Sequence, residues 1–158
     1  MKARSKITIR NLNKAYRLNE PFIKKMASKA TALVKKAGPG QLDIVFLNDR
    51  EMRALNKRYK GTGRSTDVLS FRIDLKEFGS GGFLGEIAIC PDTAIKNARI
   101  FKTGFEKEIM LYIIHGILHL CGYADYTRRE FARMSKKQED ILNRICKNQK
   151  LSKVLMPQ

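Results

Sequence analysis

The longest apolar stretch of the sequence, from Ile109 to Cys121, contains both histidines of this 158-residue chain, His115 and His119. The stretch is too short to cross a bilayer, which takes about 20 apolar residues in a helix. A helix that is apolar on nearly every side is buried inside a protein. The sequence therefore predicts a central helix that the rest of the chain must enclose.

The spacing of the two histidines is that of a helical metal site. Residues four apart on an α-helix lie about 40° apart around the axis and about 6 Å apart along it, so His115 and His119 can bind one ion together. The zincin pattern H-E-x-x-H-x-x-G-x-x-H gives the same frame, with Gly122 at its glycine and Asp125 at its third ligand. Gly116 stands where that pattern has its general base. The frame keeps a possible metal site and loses the peptidase base.

Gly122 explains how Asp125 can return to the histidines. A continuing helix would carry position 125 away from them, whereas a glycine can adopt the left-handed conformation that ends a helix. Cys121 lies about 200° around the helix from His119, so we expect it to point into the core. The combination favours a metal site over a pair of core histidines. Two imidazoles and a carboxylate suit catalytic zinc best, and nickel, copper or iron accept similar donors.

The charge of the chain predicts a polyanionic partner. There are 32 Lys and Arg against 15 Asp and Glu, a net charge of +17. Nucleic acid fits this surface best, because phosphate contacts supply most of its affinity for a basic protein. A membrane surface fits less well, because the basic residues are spread along the chain. With 8% aromatic residues and no tryptophan, recognition should rely on phosphate contacts and RNA shape more than on base stacking.

Cysteine usage and the absence of targeting signals predict a cytoplasmic protein. Cys90, Cys121 and Cys146 are odd in number and widely spaced, as reduced core residues are. The basic start of the chain is not followed by the apolar segment of a signal peptide. The sequence also contains no segment long enough to span a membrane.

The order of elements predicts one α+β domain over residues 1–158, with a four-stranded mixed sheet packed against helices around the buried metal-site helix. The strands are predicted at Lys6–Arg10, Leu42–Leu47, Val68–Ile73 and Leu84–Cys90. Two helices are predicted from Pro21 to Gly38 and from Asn48 to Tyr59, and a third from Pro91 to Ile100. Residues 79–82 should link antiparallel strands.

Capping boxes predict the starts of the last two helices. Thr103 with Glu106 should open the central helix, and Thr127 with Glu130 the final one. The final helix carries Phe131, Met134, Ile141, Leu142 and Ile145 at helical spacing, which indicates a core-facing stripe. The basic tail from Lys147 should fray.

Three separate segments resemble the YbeY endoribonucleases, bacterial metal-dependent factors of ribosomal RNA maturation. The segment His115–Tyr123 resembles the family signature, and Arg64–Phe71 and Leu84–Ile87 resemble two further blocks. Leu55-Asn56 and Tyr59-Lys60-Gly61 fit the same pattern. The resemblance runs from about residue 42 to 125 and implies a zincin-like fold.

One departure from the family lies at the third metal ligand. The family signature ends Gly-Tyr-Asp-His, and its last histidine binds the metal, whereas this chain continues Gly122-Tyr123-Ala124-Asp125. Aligned without a gap, Asp125 takes the place of that histidine, and with a one-residue slip Tyr126 does. The ungapped alignment is preferred, because a carboxylate is a credible zinc ligand and a neutral tyrosine a poor one. Metal affinity and preference should therefore differ from those of the family.

The resemblance implies a metal-dependent endoribonuclease, a hydrolase of single-stranded RNA. His115, His119 and Asp125 would hold one ion, zinc or another transition metal, and Arg64 resembles the family's catalytic arginine. Implied partners are ribosomal RNA and the small ribosomal subunit, in 3′-end maturation and ribosome quality control. No small-molecule cofactor is implied. Attack by water and attack by the RNA 2′-hydroxyl both remain open.

Two carboxylates near the resembling segments have expected roles, and two alternative functions remain. For Asp67, capping or bracing the loop that carries Arg64 is favoured over proton transfer, and for Glu86 a paired surface carboxylate is favoured over a general base. An alternative function is an RNA-binding ribosome assembly factor whose metal is structural or absent. A zinc peptidase is a weaker alternative, because Gly116 replaces its base and a peptide substrate does not explain the charge.

Overall fold

The computed structural model describes residues 6–34, 40–74 and 83–157. The elements are, in chain order, β1 (Lys6–Asn11), α1 (Glu20–Leu33), β2 (Gly40–Phe46), α2 (Asp49–Lys60), β3 (Val68–Asp74), β4 (Phe83–Ile89), α3 (Pro91–Phe101), α4 (Phe105–Leu120), α5 (Arg128–Ile145) and a 3₁₀ helix (Leu151–Val154). The predicted single-domain α+β fold is confirmed. The predictions for Gly38 and for residues 79–82 fall outside the described residues.

The four strands form one mixed sheet in the order β1-β2-β4-β3. β1, β2 and β4 run parallel, and β3 pairs with β4 in the antiparallel direction. The continuously apolar β2 lies in the interior of the sheet, as its sequence predicts. Residues alternate between the two faces of each strand, so Ile44 and Phe46 face one layer of helices while Val45 faces another.

The central helix α4 lies on the first face of the sheet and forms the core of the domain. It contacts β3, β4, α1, α3 and α5, and its residues Ile109, Met110, Ile113 and Ile114 are fully buried. α2 covers part of the second face through Met52. Because α4 is enclosed on nearly every side, its apolar sequence is accounted for. None of the helices in the described ranges has the length and apolar character that crossing a membrane requires.

The capping-box prediction is confirmed for α5 and wrong for α4, and α2 also has a side-chain cap. The Asn48 side chain accepts a hydrogen bond from the amide of Glu51, and Thr127 and Glu130 form the complete reciprocal box of α5. The N-cap of α4 is Gly104, which makes no side-chain cap. Thr103 lies one residue too early to cap, and its hydroxyl donates instead to Glu108 Oε1 at 2.6 Å.

The chain after α5 is docked, so the expectation of a frayed tail is wrong. Val154 is fully buried, and its carbonyl accepts a hydrogen bond from the Asn19 amide at 2.8 Å. The Met156 amide donates to the Arg17 carbonyl at 2.8 Å. The lysines of the tail suggested a solvated segment, but the apolar residues between them bind it to the start of α1. The C-terminal segment thereby closes the helical layer.

Gly116 allows α4 to approach the sheet closely. A Cβ atom added there would lie 2.8 Å from Cγ2 and 2.9 Å from Cδ1 of Ile87, closer than real side chains come. Ile87 is fully buried on β4, so it has little room to move. The position at which a zincin carries its general base therefore faces the sheet in this chain and has no space for a carboxylate side chain.

Replacing Gly116 with alanine is expected to lower the free energy of unfolding by about 1–2 kcal/mol. Overpacking typically costs about 1–3 kcal/mol, and the better helix propensity of alanine returns about 1 kcal/mol. Urea unfolding of Gly116→Ala measures the difference. In an Ile87→Ala background the clash is gone, so the same substitution should be neutral or stabilising. An equal cost in both backgrounds would contradict this packing explanation.

Candidate metal centre

Three side chains converge at the end of α4. The Nε2 atoms of His115 and His119 lie 2.9 Å apart. The Oδ2 atom of Asp125 lies 3.5 Å from Nε2 of His115 and 3.4 Å from Nε2 of His119. One ligand atom from each residue falls within 4.8 Å of the others, so this triad could hold a metal ion.

The turn after α4 brings Asp125 back to the histidines, as its glycine predicts. Gly122 has a φ of 92°. The Gly122 amide donates to the His119 carbonyl, and the Tyr123 amide to the Leu118 carbonyl, both at 3.0 Å. This pair of bonds is the Schellman motif that ends many helices. Tyr126, the alternative third ligand, is 92% exposed, which favours the ungapped alignment at Asp125.

The partners of the two Nδ1 atoms fix which ring nitrogens carry hydrogen. Nδ1 of His115 lies 2.7 Å from the amide oxygen Oε1 of Gln138, and Nδ1 of His119 lies 3.1 Å from the Tyr123 carbonyl. Oxygens of these two kinds only accept hydrogen bonds, so each Nδ1 must donate. In the neutral ring the lone pair is then on Nε2, the atom that points toward Asp125. The tautomers suit metal binding.

The convergence of acceptors is the observation that fits a cation. When both Nδ1 atoms carry the hydrogen of a neutral ring, two Nε2 lone pairs face a carboxylate oxygen, and a cation between them would offset their mutual repulsion. Burial lowers the pKa of His119, the neighbouring His115 lowers it further, and Asp125 opposes both. The ring of His119 is therefore neutral at neutral pH, which leaves its Nε2 free to bind a metal. The donor set of two nitrogens and one oxygen fits zinc with a fourth position open.

Cys121 takes no part in this triad. Its side chain is buried in the core, as its position on the helix predicts. Burial also raises the pKa of the Cys121 thiol, although Arg72 lowers it in part. The residue is therefore a core thiol and not a metal-binding thiolate.

A cavity of about 200 Å³ lies beside the triad and shares His115 with it. Stripes of residues at helical spacing on α4 and α5 form its walls, and Asp67 from the loop before β3 also lines it. The residues that line this α4–α5 cavity are Asp67, Glu108, Leu111, Tyr112, His115, Phe131, Met134, Ser135 and Gln138. Phe131 is 60% exposed, so its assignment to a core-facing stripe is wrong. It lies at the end of that stripe, where the cavity opens.

Hydrogen bonds from neighbouring residues hold the polar α4 side chains that line the cavity. Glu108 is only 7% exposed and accepts from Thr103, as described above. Asn97 donates to the Tyr112 hydroxyl at 2.6 Å. Burial raises the pKa of Tyr112 well above its ordinary value, and the carboxylates of Asp67 and Glu108 raise it further. Tyr112 therefore stays protonated at neutral pH.

Arg64 lies on the loop between α2 and β3, and this loop is anchored at several points. The buried Asn56 donates to the Arg64 carbonyl at 3.0 Å, and the Ser65 hydroxyl donates to Asp49 at 2.6 Å. The Cys90 amide donates to the Asp67 carbonyl at 2.9 Å. The Arg64 side chain is exposed, and no contact between it and the triad occurs among the described residues.

The two carboxylates considered from the sequence have different positions. Asp67 accepts a hydrogen bond from the Val68 amide at 2.8 Å and also lines the α4–α5 cavity, so it connects the Arg64 loop with the site. Glu86 is exposed on β4. Its neighbour Ile87 faces α4, so Glu86 points to the opposite face of the sheet. This position agrees with the expected surface role.

Gln138 is the functional candidate that sequence reasoning missed. It lies on the α5 stripe between the buried residues Met134 and Ile141, where a polar residue is unusual and needs a buried partner. A polar residue within this stripe was the sequence signal that could have identified Gln138. Its partner is His115, which only the packing of α5 on α4 reveals.

Replacing Gln138 with leucine is expected to weaken metal binding by about 10–100-fold, the usual effect of removing a partner that orients a ligating histidine. Leucine retains most of the volume but cannot accept from Nδ1 of His115. Titration with zinc against a competing chelator measures the change. Gln138→Glu keeps an acceptor and should retain affinity, and equal affinities for leucine and wild type would rule out the orienting role.

Comparison with known proteins places these features in one family. The family model described as Endoribonuclease YbeY matches residues 7–146. The Endoribonuclease YbeY of Thermotoga maritima is 32% identical over 126 residues, which cover 78% of this chain and 81% of that protein. The YbeY of Anaeromyxobacter sp. is 33% identical over 120 residues, which cover 75% of this chain and 62% of that protein. A solution structure of a Thermotoga maritima protein matches with a TM-score of 0.61 and 28% identity, covering 89% of both chains.

Proposed function

The chain belongs to the Endoribonuclease YbeY family, and from this premise we propose that it cleaves single-stranded RNA with a metal ion held by His115, His119 and Asp125. It is an enzyme, a hydrolase of internal phosphodiester bonds. The observation that carries the proposal is the convergence of two imidazole Nε2 atoms and one carboxylate oxygen within 3.5 Å. Zinc is the proposed ion, because its tetrahedral site accepts these donors and keeps one position open.

The residues around the triad divide the chemical work. A divalent ion bound there would polarise a phosphoryl oxygen or activate a water molecule. Arg64 stabilises the negative charge that develops on the phosphate, and its planar guanidinium suits this task better than an ammonium group. Asp67 connects the Arg64 loop to the cavity beside His115. Gln138 and the Tyr123 carbonyl orient the two histidines, so the RNA meets a preformed site.

The substrate follows from charge and family together. A net charge of +17 supplies the attraction that a phosphate backbone requires, and Arg128, Arg129 and Arg133 on α5 are exposed to solvent. We assign ribosomal RNA as the substrate and the small ribosomal subunit as the partner. Cleavage of this ribosomal RNA serves maturation of its 3′ end and ribosome quality control in the cytoplasm.

A peptidase function receives no support from the site. Position 116 faces Ile87 at a distance that excludes a carboxylate side chain. A peptide substrate also leaves the basic surface of the chain without a role. RNA cleavage accounts for both the triad and the charge.

The test compares cleavage of one RNA sequence as a single strand and as a duplex, by protein stripped of metal and by protein reloaded with zinc. We expect cleavage of the single strand by the zinc-loaded protein and a large loss after stripping. A small-subunit precursor RNA then serves to map the position of the cut. Full cleavage after thorough metal removal would overturn the mechanism. Tight RNA binding without cleavage under any metal would favour an assembly factor.

A further inference from the structure

The α4–α5 cavity has an electrostatic character that differs from the rest of the chain. Its lining includes the carboxylates of Asp67 and Glu108, and no lysine or arginine of the described ranges lines it. The exposed arginines of α5 lie outside it. A phosphate would be repelled from such a cavity. An uncharged group that presents N–H donors to carboxylate, amide and hydroxyl oxygens suits the interior.

The size of the cavity limits what can enter. Its volume is about 200 Å³, below the roughly 300–1,000 Å³ of pockets for drug-sized ligands. An apolar cavity of about 150 Å³ already holds a benzene ring. The space therefore accepts one ring system and not a whole nucleotide with its sugar and phosphate.

Phe131 supplies a stacking surface at the opening. A large aromatic side chain that is 60% exposed beside a cavity with buried polar groups resembles the stacking platforms of proteins that bind single strands. The following turn of α5 places Met134 and Ser135 in the cavity wall. A ring that enters the cavity would therefore pass along the face of Phe131.

We propose that the α4–α5 cavity receives one unpaired nucleobase of the RNA strand, stacked on Phe131, while the phosphate next to it lies at the triad. This inference rests on the proposed function and adds the position at which one base of the substrate is recognised. His115 belongs to both the cavity and the triad, so the bound base is adjacent to the scissile bond. A base held in a duplex cannot enter, which explains selectivity for single strands.

The test uses metal-free protein and RNA oligonucleotides that carry a single 2-aminopurine at successive positions. Stacking quenches the fluorescence of this base, so binding is measured without cleavage. We expect one position to be quenched by wild type and not by Phe131→Ala, whose RNA affinity should fall by about 5–150-fold, the range of one lost stack. Phe131→Tyr should restore both. Phe101→Ala is the matched control, because Phe101 is 65% exposed on α3 and does not line the cavity.

The outcomes separate this proposal from the proposed function. RNA that binds with no quenched position, or an equal loss in Phe131→Ala and Phe101→Ala, would overturn the base-binding role. An abasic nucleotide at the quenched position should raise the KM for cleavage by wild type and leave Phe131→Ala unaffected. Failure of wild type to cleave any RNA concerns the triad alone, because the fluorescence assay needs no metal and no reaction.

Discussion

Replacing Asp125 with alanine is expected to remove the metal from the purified protein and to lower RNA cleavage by more than about 100-fold, since loss of a direct ligand exceeds the roughly 10–100-fold effect of losing a group that orients one. The alanine variant keeps two imidazoles, which bind too weakly to retain the ion through purification. Elemental analysis without added metal measures the content, and wild type should carry about one equivalent of zinc or another transition metal.

Asp125→His provides the informative comparison. A third imidazole is the family's own donor, so this variant should hold metal as well as wild type or better. Asp140→Ala removes an exposed carboxylate from α5 and controls for the change in net charge. If wild type is metal-free and only the histidine variant binds, the site has weakened in this chain, and the assembly-factor function takes precedence.

Replacing Arg64 with alanine is expected to lower kcat by about 10²–10³-fold, the usual cost of removing one group that stabilises charge in the transition state. Metal content should not change, because Arg64 makes no contact with the triad among the described residues. RNA affinity should fall only slightly, as for the loss of one phosphate contact. Single-turnover cleavage at saturating protein separates the chemical step from binding.

Two further variants define the role of Arg64. Arg64→Lys keeps the charge and loses the planar fork, so it should recover only part of the rate. Arg50→Ala removes an exposed arginine from α2 and should cleave like wild type. An equal fall in Arg64→Ala and Arg50→Ala would assign the effect to net charge and contradict a role for Arg64 in the reaction.

Local patterns in the sequence were sufficient to predict that His115, His119 and Asp125 lie together, and to predict most of the fold. Gly122 and Asp125 follow His119 within six residues, so spacing and backbone preferences could predict their arrangement. The strands and their mixed sheet follow from apolar runs of suitable length. The start of α4 was predicted one residue early, because Thr103 resembles a cap and Gly104 offers no side chain to reveal that it is one.

Features that depend on tertiary packing were not accessible in this way. The contact between Gln138 and His115 joins two helices whose relative rotation no local pattern specifies. Phe131 fits the periodicity of a buried stripe, yet it is exposed at the α4–α5 cavity. The docking of Val154 on α1 depends on a pairing between distant segments, which the lysines around it obscured. In each case the missing information is which surface another element covers.

The origin of the triad in one short segment has a consequence for the order of folding. Residues 115–125 supply all three candidate ligands, so assembling them requires closure of only a short loop. Gln138 and the wall of the α4–α5 cavity come from α5 and form only when that later helix docks. We therefore expect a nascent chain to capture metal before it can cleave RNA. Partial unfolding of α5 would then remove the cavity wall and also weaken metal binding, because His115 would lose its Gln138 partner.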